Sequence, residues 1–325
     1  MIFDLHCDTL YKLYERKTGK SCAASESELA VDGDKLFHGN YLGQCFAVWT
    51  SAERENPYQA ALDMIDIFYT EIKKSNILAP ALEPRDVVKN MGEGKISALL
   101  SLEDAAPIGN DMERLREFYS LGVRMIGLTW NYPNAVGCPN MDGGKPNDGF
   151  NHLTPNVKDG LTDFGRELIC EMNRLGIVID VSHLSDAGFF EVAKASKKPF
   201  VASHSNARGI CPHVRNLTDE MLKILAECGG VVGMNYYCDF LDRDKERGLD
   251  TVSCVIRHMK HIGQLIGYDY IALGSDFDGI ERGGELDSAR DMPKLVEGLS
   301  SAGFSESVIE KITSENAIRI FRENT

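Results

Sequence analysis

No stretch of this 325-residue sequence approaches the roughly 20 consecutive apolar residues that a membrane-spanning helix needs. The start, Met1-Ile2-Phe3-Asp4, lacks a basic segment leading into an apolar run, so a cytoplasmic protein is expected if this is the native start. Lys and Arg clusters are also missing. With 35 basic against 49 acidic residues the formal net charge is -14, and phosphate surfaces select for the opposite sign. Nucleic acid and anionic membranes are thereby excluded as expected partners. The nine cysteines include no C-x-x-C pair, and their odd, scattered count fits reduced thiols better than a disulfide framework or a thiolate zinc cluster. Internal repeats and low-complexity tracts are absent, whereas 43% hydrophobic and 26% charged residues are ordinary for a protein with a buried core.

What is present begins at the end of the first apolar run. His6-Cys7-Asp8 closes Met1-Ile2-Phe3-Asp4-Leu5, and in an extended chain residues two apart face the same way. An imidazole and a carboxylate are thus expected to grip one cation, with Cys7 turned into the core. Three further apolar runs end on residues of the same kind: Glu103 after 96–102, His183 after 177–182 and His204 after 200–203. Four strands finishing on ligand-type residues point to one metal site.

Strand signals also fall at 42–49, 123–130, 230–235 and 270–275, and helical spacing separates them, for example at Ala60, Met64, Ile65, Ile67 and Phe68. Eight near-continuous apolar strands alternating with helices predict an α/β fold, a single-domain (β/α)8 barrel of the TIM type over residues 1–325. A long irregular loop at about 131–160 is expected to form an active-site wall, and C-terminal helices are expected to pack on the barrel. In such barrels catalytic groups stand at the C-terminal ends of the strands, where the ligand-type residues lie.

Three imidazoles, an aspartate and a glutamate suit zinc or a similar borderline cation. Five ligands exceed the needs of one ion. Two ions per chain are expected, His6 and Asp8 on one, His183 and His204 on the other, and Glu103 bridging, so that a bridging hydroxide can attack a carbonyl polarised by metal. In Gly274-Ser275-Asp276-Phe277-Asp278-Gly279, Asp276 or Asp278 is placed to accept and pass on a proton, with an ordinary turn as the alternative. Arg215 follows His204 on the same loop and suits a bidentate pair with a substrate carboxylate, against the plainer reading of an exposed loop arginine. His38, His213, His258 and His261 are expected at the surface.

These residues resemble the membrane (renal) dipeptidase family of zinc peptidases, in the amidohydrolase superfamily. The resemblance covers nearly the whole chain, through Asp4-Leu5-His6-Cys7-Asp8, Leu102-Glu103, residues 160–167, Asp180-Val181-Ser182-His183, residues 203–207, Val214-Arg215-Asn216 and residues 274–279. It implies a zinc-dependent dipeptidase with two Zn2+ ions held by His6, Asp8, Glu103, His183 and His204, Asp276 as proton shuttle and Arg215 as the carboxylate anchor. The implied substrates are dipeptides, L,D-dipeptides among them. Some relatives carry a His after Leu-Thr at the end of strand four, where this chain reads Leu128-Thr129-Trp130-Asn131. Oxyanion stabilisation therefore falls to Asn131, to His152 or to metal alone, and Trp130 is expected to shape the substrate pocket. A different amidohydrolase, such as an N-acyl amino acid hydrolase or a lactonase, is the alternative enzyme, and a non-catalytic barrel is the alternative outside enzymes. A homodimer is left open.

Overall fold

A computed structural model describes residues 1–18, 29–50, 55–141, 152–242, 250–281 and 284–325. Part of the expected 131–160 loop, residues 142–151, lies outside the described residues, as does Cys22. Among the described residues nine parallel strands form the sheet: β1 (Ile2–Cys7), β2 (Tyr41–Val48), β3 (Leu78–Pro80), β4 (Ile96–Leu102), β5 (Val123–Gly127), β6 (Val178–Asp180), β7 (Val201–Ala202), β8 (Val231–Met234) and β9 (Ile271–Leu273). Because β1 pairs with both β2 and β9, and β2 with β4, eight strands close into a barrel in the order β1-β2-β4-β5-β6-β7-β8-β9. The eight-stranded barrel expected from sequence is therefore present.

β3 was not expected. It pairs with the first three residues of β4, on an edge that β5 takes over only from Leu100 onward. Three residues ending in Pro80 leave too short a period for a sequence signal.

Alternate positions of the strands divide the core. Ile96, Leu100, Leu102, Ile126, Ile179 and Val232 join the large cluster that meets the helices, while Leu99, Met125, Val178, Val201, Val231 and Ala272 form a second, inner cluster. The C-terminal helix Asn316–Asn324 adds Ala317, Ile320 and Phe321 to that inner cluster, with Phe321 5.9 Å from the Phe3 ring. Other helix ends follow the sequence signals closely. Thr162 accepts a hydrogen bond from the Gly165 N–H to start the helix Asp163–Leu175, and Gly176, at φ 80°, stops it.

Candidate metal centre

β1 delivers its two ligand-type residues by breaking the two-residue alternation rather than obeying it. Leu5 belongs to the inner cluster but Cys7 to the outer one, and the pairing register shifts between Asp4 and Cys7. An irregularity of this kind re-aims side chains at a strand end. The Asp4 carboxylate fixes it, since its Oδ1 accepts from the backbone N–H groups of His6 and Ser275, both at 3.0 Å. Cys7 is buried in the outer core as expected. Asp8 precedes the helix Thr9–Lys17 yet makes no side-chain capping bond.

Glu103, two positions beyond Ser101 of β4, stands at the centre. Its Oε2 lies 3.7 Å from His6 Nε2, and its Oε1 lies 3.2 Å from His183 Nε2 and 3.7 Å from His204 Nε2. His183 Nε2 and His204 Nε2 are 3.0 Å apart, and Asp8 Oδ2 is 3.4 Å from His6 Nε2. Side chains from the end of β1 and from just past β4, β6 and β7 thus meet around one carboxylate. His6, Glu103 and His204 each bring a ligand atom within 4.8 Å of the others, and so do His6, Asp8 and Asp276.

The hydrogen bonds fix which imidazole nitrogen is available. Asn131 Oδ1 can only accept, so His183 Nδ1, 2.8 Å away, carries the proton and Nε2 keeps its lone pair. Ser203 Oγ gives its proton to Asp180 Oδ2, so it accepts from His204 Nδ1 at 2.7 Å, with the same result for His204. Asp180 also accepts from the backbone N–H and hydroxyl of Ser182 and from the Ser203 N–H. Such supporting contacts orient metal-binding imidazoles.

Electrostatics favour a cation here. Burial opposes charge on His6, but Asp8 and Asp276 outweigh it and push the imidazole up to about 9. Burial and the neighbouring Asp8 and Asp276 charges hold Glu103 well above the usual carboxylate range. His183 and His204 are held far below theirs by burial and by the nearby Arg215 and His6 charges, so they are neutral. Asp8 Oδ1 and His6 Nε2 are buried without a hydrogen-bond partner among the described residues. Orphaned donors beside crowded carboxylates fit divalent metal.

Past β9 the chain turns sharply. Asp276 and Asp278 adopt φ 64° and 67°, left-handed conformations uncommon outside glycine. The two aspartates then part. Asp276 Oδ2 accepts from Asn235 Nδ2 at 2.8 Å, its Oδ1 lies 3.8 Å from His6 Nε2, and burial lifts it to about 6. Asp278 accepts from Thr9 Oγ1 at 2.6 Å and from Ala30 N at 2.7 Å, which gives it a structural task. At Gly279 a Cβ would sit 2.1 Å from Asp8 Oδ2 and 2.6 Å from Asp276 Oδ1, so only glycine fits.

Above the cluster opens a cavity of about 740 Å³, lined among others by Asp8, Glu103, Trp130, Asn131, His183, Arg215 and Asp276. Arg215 is only 2% exposed. Its Nη1 donates to Ser182 O, and its Nη2 donates to His204 O at 3.3 Å and to His183 Nε2 at 3.1 Å. A clasp behind it was not foreseen: Arg208 pairs bidentately with Asp186 at 2.7 and 2.8 Å. Arg208 also donates to the carbonyls of Val214 and Asn216, which flank Arg215, and Asn140 donates to Asp186 Oδ1 and Val214 O. The surface expectation fails for two histidines. His213 is buried on the cavity wall, its ring 4.5 Å from Phe240. His258 is fully buried, bonded to the Ala207 N–H and Leu241 O.

The sequence profile of the membrane dipeptidase family, peptidase family M19, matches residues 1–325. This chain belongs to that family. The resemblance drawn from the motifs is borne out over the whole sequence. Dipeptidase tcpJ of Claviceps purpurea is 33% identical over 73% of this chain, which spans about half (53%) of that protein's length. An uncharacterised protein in the pqqA 5′ region of Klebsiella pneumoniae is 36% identical over 72% of this chain and 85% of its own length. Among solved structures, a metallo peptidase from Rhodobacter sphaeroides liganded with a phosphinate mimic of the dipeptide L-Ala-D-Ala has a TM-score of 0.88 at 27% identity, covering 100% of this chain and 99% of that one. Among the described residues no helix is long and apolar enough to cross a membrane.

Proposed function

We propose that this chain is a metal-dependent dipeptidase that hydrolyses dipeptides with a free C-terminal carboxylate, L,D-dipeptides among them. The observation that carries this is the gathering of His6, Asp8, Glu103, His183 and His204 around one carboxylate beneath a cavity that also holds a buried arginine. Membership of the dipeptidase family and likeness to a structure holding a dipeptide mimic support it. Two zinc ions are part of the proposal, and His6, Asp8, Glu103, His183 and His204 would hold them. Such ions supply Lewis acidity and lower the pKa of water to about 7.

The chain's own groups do the rest. Arg215 takes the substrate carboxylate in its guanidinium, held by the Ser182 and His204 carbonyls. Asp276, lifted to about 6, accepts the proton of the attacking water and delivers it to the amine nitrogen as the peptide C–N bond breaks. Asn131 orients His183 through its Oδ1, and Trp130 walls the pocket. A cytoplasmic setting and action of the whole chain as one unit belong to the same proposal.

The test is a panel of L,L- and L,D-dipeptides beside N-acyl amino acids and lactones, assayed with zinc. Dipeptide turnover is expected. Its absence, alongside activity on another class, overturns the reading in favour of a different amidohydrolase.

A further inference from the structure

Three aromatic side chains line one side of the cavity: Tyr11, Trp49 and Trp130. They are packed edge to face, with ring centroids 4.5 Å apart at 81° for Tyr11–Trp49 and 4.9 Å apart at 64° for Trp49–Trp130. Tyr11 is further held by its hydroxyl, which donates to Glu15 Oε1 at 2.9 Å. All three are only half-buried, so a preformed apolar surface faces the site.

Its place in the ring gives it a meaning. Trp49 directly follows β2, and Arg215 lies on the segment that follows β7. In the closed order β1-β2-β4-β5-β6-β7-β8-β9, β2 stands four places from β7 in either direction, so the two are diametrically opposed across the barrel mouth. The metal-ligand cluster lies between them. A dipeptide with its carboxylate on Arg215 and its scissile carbonyl over the cluster extends its amino-terminal residue toward the far side. That residue meets aromatic rings.

We infer that Tyr11, Trp49 and Trp130 form the subsite for the amino-terminal side chain, and that the enzyme selects dipeptides whose first residue is bulky and apolar. This rests on the dipeptidase reading. A glycine or alanine leaves the ring faces in water, whereas a phenylalanine or leucine covers them and gains apolar burial in the transition state as well. Hydrophobic pockets separate side chains by roughly tenfold or more per methylene.

The experiment compares kcat/KM for Phe-Ala and Gly-Ala with the zinc-loaded full-length protein. Their ratio is unaffected by the fraction of active enzyme, so a partly folded or partly loaded variant still reports. A ratio of roughly tenfold or more is expected in the wild type, falling several-fold in Trp49→Ala and in Tyr11→Ala but kept in Trp49→Phe. Should Trp49→Ala fail to fold, Tyr11→Ala and Trp49→Phe carry the comparison. Turnover of both dipeptides at similar efficiency, or a ratio that neither alanine variant moves, overturns the subsite and leaves the dipeptidase reading intact. No turnover of any dipeptide sinks both.

Discussion

Asp276 combines a left-handed backbone, one oxygen bound to Asn235 and another facing His6. Asp276→Asn keeps the shape and the oxygen that accepts from Asn235 while removing the proton path, so turnover is expected to fall by about 10²–10⁴-fold with zinc content unchanged. Elemental analysis decides the point, because loss of zinc in that variant would make Asp276 a ligand, in keeping with its closeness to His6 and Asp8. Gly279→Ala drives a methyl group into both carboxylates and is expected to weaken metal binding by about 10–100-fold, read by titration against a chelator. His258 offers a test outside the cluster. Burial lowers its pKa from 6.5 to about 4. Between those values the unfolded chain binds the extra proton, so stability falls as pH drops from 6.5 toward 4, by about 3 kcal/mol. Denaturant unfolding of His258→Gln over that range is expected to show a correspondingly shallower pH slope. At this scale, residues with distinctive chemistry were legible in the sequence, and His6, Asp8, Glu103, His183 and His204 do converge. Asp180, Ser203, Asn235 and Asp186 were not. Generic polar side chains acquire a task only from neighbours that the fold supplies.

Elements explain where those neighbours come from. The segment after β7 carries Arg215, and its backbone is gripped on both sides by Arg208 and, through Asp186, tied to Asn140 of the long loop. Arg208 is partly buried, and breaking its bidentate pair by removing one partner leaves a charge unpaired at a cost below the roughly 3–5 kcal/mol of a fully buried pair. Asp186→Ala is therefore expected to lower the unfolding midpoint and to raise KM more than it lowers kcat, since the proposed anchor for the carboxylate loosens while the proposed metal ligands are untouched. An unchanged midpoint would remove the clasp from the account. Periodicity located the eight barrel strands because long apolar runs leave strong signals. It missed β3, which has three residues, and the irregularity in β1, where strict alternation would have sent Leu5 and Cys7 to the same face. A one-residue break in pairing leaves no trace in composition.

For the whole molecule, the density of buried carboxylates around His6 means that removing metal leaves like charges crowded together. Chelation is expected to abolish turnover and lower the melting temperature, and two equivalents of zinc are expected to restore both, because a ligand that binds only the folded state stabilises it by mass action. Thermal melts with and without chelator read this directly. The barrel is sealed by contacts between its two ends: Asp4 of β1 accepts from the Ser275 N–H, and Asp8 N donates to Phe277 O. The residues around 275 must therefore be in place before the mouth of the barrel closes beside His6 and Asp8. The first strand and the last are thus completed together, and Asp276 reaches His6 only through that closure.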